Sequence, residues 1–251
     1  VPVHTLLGGA VRNRVRADYW MGQQTVEDSK RSVERALKAG FTGIKIKCQI
    51  EDPIYERLKA ILDIAGYEFK VTVDPNERFR TAEQTIELAK KLDDLGNIEV
   101  FEDPIPKSDV EGYRRIHDVV NHPIAQHLTS PLAVLAAIKE DIVDCFNLGG
   151  SLFGFCRNAA IAASAGMDCW HGSGNDLGII DTSYIHAAAA TTNCVMASDF
   201  VGSWTREDDL IAEPIEFYEG YVDVPQLPGL GCKLDEYSLE KYTQSFEVIE
   251  N

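Results

Sequence analysis

Short apolar runs alternate with longer amphipathic stretches along almost the whole chain. The runs are rich in Val, Ile, Phe and Cys and indicate strands at 14–21, 42–48, 69–73, 98–101, 124–128, 143–148, 168–171 and 194–198. Helical stretches fill the seven intervals between them. Because strands that alternate with helices build parallel sheets, the pattern predicts an α/β fold, a TIM-like (β/α)7β barrel.

Signals for helix ends fit this alternation. Thr81 with Gln84, and Ser108 with Glu111, have the spacing of capping boxes at helix starts. Three glycines are placed to end helices: Gly40, Gly96 and Gly166.

The alternation is not interrupted by a linker or a low-complexity tract. We therefore expect a single barrel domain over 1–251, with an N-terminal segment at about 1–13 and the barrel at about 14–199. The tail changes character, with Pro-Gly-Leu-Gly at 228–231. We interpret about 200–251 as a C-terminal extension that runs back over the barrel.

Length and composition agree with one barrel. The chain has 251 residues, and its 45% hydrophobic content can fill a barrel interior. Its formal net charge of −16 argues against nucleic acid or an anionic membrane surface as a partner, because both attract basic surfaces. The six cysteines form no CxxC pair, which favours free thiols. Without a long apolar run or a signal peptide, the expected location is the cytoplasm.

Two lysines on one predicted strand are the first candidate chemistry. Lys45 and Lys47 alternate with Ile44 and Ile46, so a strand points both lysines into the barrel while the isoleucines pack outward. Neighbouring ammonium groups disfavour each other's charged form, so one of them can act as a base near neutral pH. In isolation, the same pattern would indicate solvated lysines at an exposed strand end.

Two carboxylates emerge directly from the next two predicted strands. Asp74 follows the run at 69–73, and Glu102 follows the run at 98–101. Carboxylates on adjacent strands repel each other unless a cation joins them, and Mg²⁺ takes oxygen ligands of this kind. Each carboxylate alone would fit a helix cap or a turn. Together with the lysines one strand earlier, they predict a divalent metal site.

The combined motifs resemble the barrel domain of the enolase superfamily, in its mandelate racemase and acid-sugar dehydratase branch. The resemblance is carried by Lys-x-Lys on the second strand, Asp-x-Asn after the third, Glu-Asp-Pro after the fourth and His171 on the seventh. Leu-Leu-Gly-Gly at 6–9 and Pro-Gly-Leu-Gly at 228–231 are similar to that family's barrel boundaries. Because the chain begins at the barrel, we expect the family's N-terminal α+β cap domain to be absent from it.

The resemblance implies a reaction that begins by removing the proton next to a carboxylate. Lys47 would be the base, Lys45 would contact the carboxylate, and a divalent metal, Mg²⁺ foremost, would stabilise the enediolate. Asp74 and Glu102 would be metal ligands. Two nearby side chains would support them: Asn76 and Asp103. The expected partner is a small-molecule carboxylate substrate, and we expect a homo-oligomer.

The sequence departs from the family pattern on the fifth and sixth strands. His127 stands where relatives carry Asp, Glu or Asn as the third metal ligand, and imidazole would shift preference toward Mn²⁺, Fe²⁺ or Zn²⁺. Ligation is favoured over an acid/base or a structural role. Gly149 stands where relatives carry an Asp that orients the seventh-strand histidine, or a second Lys base. Asn147, on the same face, would hydrogen-bond His171 or the substrate.

His171 completes the predicted site, on the face opposite Lys47. The Cys-Trp-His-Gly-Ser sequence at 169–173 is most similar to glucarate-type dehydratases. In a dehydratase this histidine would protonate the departing β-hydroxyl, and in a racemase it would reprotonate the α-carbon. The favoured function is a metal-dependent lyase that dehydrates an acid sugar. The alternatives are a racemase or epimerase with the same half-reaction, and a non-catalytic relative that binds a ligand or a metal.

Overall fold

Residues 1–245 are described by the computed structural model, and they form an α/β barrel. A short strand, β1 (Arg14–Arg16), precedes the main sheet. The strands of that sheet run parallel and hydrogen-bond in chain order. They are β2 (Tyr19–Met21), β3 (Gly43–Lys47), β4 (Lys70–Asp74), β5 (Ile98–Glu102), β6 (Ile124–Leu128), β7 (Cys145–Leu148) and β8 (Cys169–His171).

Helices connect successive strands and cover the outer face of the sheet. A one-turn helix, α1 (Val3–Leu6), precedes the barrel. The connecting helices are α2 (Val26–Lys38), α3 (Ile54–Ala65), α4 (Ala82–Leu92), α5 (Val110–Val119), α6 (Pro131–Glu140), α7 (Leu152–Ser164) and α8 (Gly178–Ala190). Their apolar faces and the outward side chains of the strands form the main buried core. The predicted alternation and the TIM-like α/β architecture are therefore confirmed.

A smaller apolar cluster fills the inside of the barrel. It consists of Val100, Ala125, Cys145 and Trp170, with Met196 packed against it. Because side chains alternate along a strand, the residue two positions further on also points inward. The cluster therefore forms an apolar layer beneath the polar residues at the carboxyl ends of the strands.

The barrel closes through residues 194–199, at the place of the predicted eighth strand. Cys194 pairs with Cys169 on one side, and Ser198 pairs with Ala17 on the other, both in parallel register. The Asp18 N–H donates to the Ser198 carbonyl at 3.1 Å. These contacts are isolated bridges between β8 and the start of β2, so the closing segment is shorter and less regular than a full strand.

The predicted first strand at 14–21 is wrong as a single element. Its first half, β1, leaves the main sheet and pairs antiparallel with β9 (Tyr221–Asp223), whereas its second half is β2. The division falls at Ala17, whose N–H donates to the Gly220 carbonyl at 2.7 Å. A partner about 200 residues away in sequence thus decides the pairing of β1.

Helix capping agrees with the sequence signals in part. The Thr81 hydroxyl accepts from the Gln84 N–H at the start of α4, as predicted. The predicted Ser108 cap is wrong by one residue: the Asp109 carboxylate accepts from the Gly112 N–H at 2.9 Å. A carboxylate is a stronger acceptor at the positive end of a helix than a hydroxyl.

The two ends of the described chain lie together. The Val3 N–H donates to the Gly229 carbonyl at 2.9 Å, and β9 pairs with β1. Two further helices belong to this C-terminal part, α9 (Gly202–Thr205) and α10 (Glu236–Tyr242). Among residues 1–245, no helix has both the length and the apolar character needed to cross a bilayer.

Arg12 fastens the N-terminal segment to the end of α8. Its guanidinium donates to the carbonyls of Ala188 and Thr192, each at 3.0 Å, and to the carbonyl of Cys194. The Ala188 carbonyl lies in the last turn of α8 and those of Thr192 and Cys194 follow the helix, so one charged donor joins the helix end to the segment after it. The same side chain thereby holds the beginning of the closing segment.

We predict that Arg12→Met lowers the free energy of unfolding by about 2–3 kcal/mol, because hydrogen bonds to charged groups are the stronger class. Urea unfolding followed by circular dichroism would measure the loss. Arg31→Met is the control, because Arg31 is exposed and, within the described part of the chain, forms an ion pair only with Asp28 on its own helix, and it should change stability by less than about 0.5 kcal/mol. Equal midpoints for the two variants would contradict the role of Arg12.

Candidate active site

The carboxyl ends of β3, β4 and β5 bring a buried lysine among carboxylates. The Lys45 ammonium nitrogen lies 3.0 Å from Asp74 Oδ2, 2.7 Å from Glu102 Oε2 and 2.5 Å from Asp199 Oδ2. All four residues are almost inaccessible to solvent. The parallel register of β3 and β4 pairs Lys47 with Asp74, which sets this convergence.

Electrostatics in this cluster fix the charge of Lys45. Burial alone would lower the pKa of Lys45, but Asp199, Glu102 and Asp74 together raise it well above its ordinary value. Burial, with the neighbouring Asp74, raises the pKa of Glu102 to about 8. The two lysines outweigh burial at Asp74 and lower its pKa. Lys45 therefore stays cationic, and the negative charge at Glu102 is incompletely balanced by the side chains around it.

Asp199 is the site residue that the sequence analysis missed. It follows the closing segment directly, and its Oδ1 accepts from the Ser173 N–H at 2.7 Å while Oδ2 faces Lys45. A signal was present, because Asp199 follows an apolar run in the same way as Asp74 and Glu102 do.

Lys47 lies nearer to solvent than Lys45. Its ammonium group contacts Asp74 Oδ2, and its side chain is 20% exposed against 4% for Lys45. The buried guanidinium of Arg57, on α3, donates to the Lys47 carbonyl at 3.0 Å and to the Gly22 carbonyl at 3.3 Å. The end of β3 is thereby fixed, and the Lys47 side chain reaches the mouth of the barrel.

A possible metal site lies beside this cluster, around Glu102. Glu102, Asp103 and His127 each offer a ligand atom within 4.8 Å of the others. Glu102 Oε2 accepts no hydrogen bond of good geometry from the described residues, although Lys45 is close. A buried carboxylate with an open acceptor position and an imidazole nearby fit a divalent cation.

Asp103 is held differently from Glu102. Its Oδ1 accepts from the His127 main-chain N–H at 3.0 Å, and its Oδ2 accepts from Lys107 at 2.6 Å. Both oxygens therefore have donors.

His127 Nδ1 lies 3.9 Å from Glu102 Oε1, too far for a hydrogen bond. Burial, with the neighbouring Lys45, lowers the pKa of His127 to about 4, so the ring is neutral at pH 7.

The predicted supporting residues Asn147 and Asn76 each donate a hydrogen bond to a carboxylate of the cluster, which the sequence did not indicate. The Asn147 amide nitrogen donates to Glu102 Oε1 at 2.7 Å, whereas its Oδ1 has no hydrogen-bond partner among the described residues. Asn76 acts through its main chain, since its N–H donates to Asp74 Oδ1 at 3.0 Å. Both contacts orient carboxylates of the cluster.

The structure separates His171 from the lysines, contrary to the expectation from sequence. The ring of His171 stacks on Tyr184 of α8 with centroids 3.6 Å apart, and it contacts Phe155 of α7 at 4.5 Å. Since Trp170 belongs to the inner cluster, the next side chain along β8 must point outward. His171 is thus a buried residue between sheet and helices.

A parallel α/β barrel with charged groups at the carboxyl ends of its strands is the arrangement in which barrel enzymes build their active sites. The family described as "Enolase C-terminal domain-like" matches residues 28–238. This chain belongs to that family, as the sequence motifs indicated. Its relatives come from the mandelate racemase, muconate cycloisomerase and acid-sugar dehydratase branch of the enolase superfamily.

Individual relatives differ in the reaction that their names give. The chain is 26% identical to L-Ala-D/L-Glu epimerase of Bacillus subtilis, over 92% of this chain and 65% of that protein. It is 29% identical to arabinonate dehydratase of Saccharolobus solfataricus, over 96% of this chain and 66% of that protein. The chain thus spans about two thirds of their length.

One similar solved structure carries a metal and a ligand. It is a dipeptide epimerase from Enterococcus faecalis in complex with Mg and the dipeptide L-Leu-L-Tyr. It is 26% identical to this chain and superposes with a TM-score of 0.84, over 92% of this chain and 67% of that one. Enzymes that use a divalent metal are therefore present among the relatives.

The buried position of His171 makes stability depend on pH. Burial lowers the pKa of His171 to about 3, and the hydrogen bond between Nδ1 and the Gly172 carbonyl only partly opposes this. The unfolded chain takes up this proton near pH 6.5, whereas the folded chain does not until about pH 3. The contribution is therefore complete above pH 6.5 and is lost as the pH falls.

We predict that, between pH 7 and pH 5, the wild type loses about 2 kcal/mol more unfolding free energy than His171→Gln does. Urea unfolding in the presence of EDTA, at the two pH values, measures this difference. Lys91→Gln serves as control, because Lys91 is an exposed side chain on α4, and it should follow the wild type. Parallel pH profiles for wild type and His171→Gln would contradict the assignment.

Proposed function

We propose that this chain is the catalytic barrel of a metal-dependent enzyme that removes the proton next to the carboxylate of an acid sugar and eliminates water. The observation that carries the proposal is the convergence of Lys45 and Lys47 on Asp74 and Glu102. Removing a proton next to a carboxylate adds negative charge to that group. Cations that are already in place favour the resulting state over the ground state.

Lys47 is the proposed base. It is the more exposed of the two lysines, and Arg57 holds the main chain that carries it. A base must reach the proton that it removes, so a side chain at the mouth is better placed than one beneath it. The contact with Asp74 orients the ammonium group before a substrate binds.

Lys45 has the complementary role of a fixed cation. Three carboxylates raise its pKa well above the ordinary value despite complete burial, so it does not release a proton at neutral pH. A lysine that stays charged cannot be the base. It can hold negative charge at the floor of the site, where the substrate carboxylate gains charge during the reaction.

A divalent ion would be held by Glu102 and His127, which belong to the converging group of ligand atoms, and by Asp74, the carboxylate at the end of the neighbouring strand β4. Asp103 and Asn147 orient two of these ligands, through the His127 main chain and through Glu102 Oε1 respectively. When bound, the ion would supply Lewis-acid stabilisation of the developing negative charge. Balancing the buried carboxylate charge around Glu102 is the physical reason to expect it.

Dehydration is favoured over racemisation because, among residues 1–245, the site offers bases on one side only. Racemisation needs a second acid/base group on the opposite face of the α-carbon. The two positions from which relatives would supply it hold Gly149 and a histidine that points away, His171. In an elimination, Lys47 takes the α-proton, the bond to the β-hydroxyl breaks, and the new ammonium group returns the proton to the departing hydroxyl. The products are water and an enol that becomes a 2-oxo acid.

We predict that Lys47→Ala reduces exchange of the α-proton by about 10²–10⁴-fold, the contribution of a positioned general base. The measurement is deuterium incorporation in D₂O, followed by NMR over a panel of aldonic and aldaric acids. Lys91→Ala, which removes an exposed lysine on α4, should exchange at the wild-type rate. Undiminished exchange in Lys47→Ala would exclude Lys47 as the base.

We further predict that the protein, supplied with a divalent metal, converts at least one acid sugar of that panel to a 2-oxo acid, which reaction with semicarbazide detects by absorbance. Exchange without a 2-oxo acid, together with inversion at the α-carbon, would favour the racemase or epimerase alternative. Metal binding without any exchange would favour a non-catalytic binding protein.

A further inference from the structure

We propose that Gly149 and His127 form a coupled pair, in which the absence of a side chain at 149 makes room for an imidazole that binds the metal through Nδ1. The inference rests on the metal site of the proposed function and specifies what positions its imidazole ligand. It assigns this barrel a site with one nitrogen and two carboxylate ligands. Such a site should favour Mn²⁺, Fe²⁺ or Zn²⁺ over Mg²⁺.

Space around Gly149 is the first argument. A Cβ atom at this position would lie 2.9 Å from His127 Nε2 and 3.3 Å from Thr129 Cγ2. The first distance is shorter than a carbon and a nitrogen can approach without displacement. Any side chain at 149 would therefore push the imidazole from its present place.

Backbone conformation does not explain the glycine. Gly150, the next residue, has a φ of 109°, which side chains rarely adopt, whereas Gly149 is not in this region. Alanine would therefore be compatible with the main chain at 149 and not at 150. What Gly149 provides is room for a neighbouring side chain, and that neighbour is His127.

The orientation of the imidazole is the second argument. The His127 N–H is fixed by Asp103 Oδ1, and β6 pairs His127 with Asn147 of β7. With Nε2 directed at Gly149, Nδ1 faces the Glu102 carboxylate and lies 3.9 Å from Oε1, which also accepts from the Asn147 amide. Two ligand atoms that each lie about 2.0–2.2 Å from a shared ion can be separated by such a distance. The two departures from the family pattern therefore act together.

A double-mutant cycle tests the coupling. We expect Gly149→Ala to weaken Mn²⁺ binding by about 10–100-fold in the wild-type background, the usual effect of disturbing the surroundings of a ligand. In the His127→Asp background, the same change should alter Mn²⁺ affinity by less than about 2-fold, because the shorter side chain leaves space at 149. Calorimetric titration gives the four affinities. Equal effects of Gly149→Ala in both backgrounds would overturn the coupling.

Metal preference supplies a second measurement. The ratio of Mg²⁺ affinity to Mn²⁺ affinity should rise by about tenfold or more in His127→Asp, since an all-oxygen site suits the harder ion. His117→Asp, at a half-buried position on the outer helix α5, should leave the ratio unchanged. An unchanged ratio in His127→Asp would remove the imidazole from the site.

A spectroscopic test on the unmodified protein avoids dependence on the folding of variants. Mn²⁺ bound to protein labelled with ¹⁵N-histidine should show a nitrogen coupling in pulsed EPR, and His127→Asp should abolish it. Bound Mn²⁺ without this coupling would overturn the inference and leave the proposed function intact. Failure to bind any divalent metal would instead overturn both.

Discussion

The buried charge cluster around Lys45 is the interaction on which the rest of the structure depends. An ammonium group and three carboxylates lie together in the middle of the barrel, almost without contact with water. Desolvating such groups is costly unless each keeps close partners, and removing one partner of a buried ion pair typically destabilises a protein by about 3–5 kcal/mol. The ends of these strands must therefore keep the charged side chains of the cluster within hydrogen-bonding distance of one another.

The segment that closes the barrel also brings the last member of this cluster into place. Lys45, Asp74 and Glu102 come from consecutive strands, but Asp199 comes from the segment that joins β8 back to β2. That segment makes only isolated bridges with its neighbours, so its ladder of main-chain hydrogen bonds is sparse. The ion pair between Asp199 and Lys45 adds a side-chain contact across the barrel. The charge cluster thus also stabilises the least regular part of the sheet.

The sequence predicts those features of fold and site that arise from local periodicity. Lys45 and Lys47 share a face because strand side chains alternate, and Asp74 and Glu102 follow runs that are unmistakably apolar. His171 was misplaced because the run 168–171 is short and has no polar and apolar alternation, so nothing in it indicates which side faces inward. A shift of one residue along the strand moves a side chain from the site inside the barrel to the core outside it.

Other features depend on contacts that are distant in sequence and leave no local trace. The division of 14–21 into β1 and β2 follows from pairing with residues 221–223, which the composition of the run does not reveal. Asp199 lies where the repeating pattern ends, and its role is evident only once the barrel closes and brings it to Lys45. The room at Gly149 is likewise created by a side chain from another strand.

The inward-facing charges are distributed unevenly around the barrel, and this asymmetry bears on the chemistry. Within the described residues, β3 to β6 and the closing segment supply lysines, carboxylates and an imidazole at the mouth. On β7 and directly after it, the corresponding positions hold Asn147 and Gly149. Directly after β8 the corresponding position holds Gly172, where a side chain would not fit because a Cβ atom would collide with Asn147. A substrate carboxylate held at Lys45 would therefore meet its base on one side and a small, uncharged wall on the other. Elimination on a single face suits such a site, because one lysine can both take and return the proton.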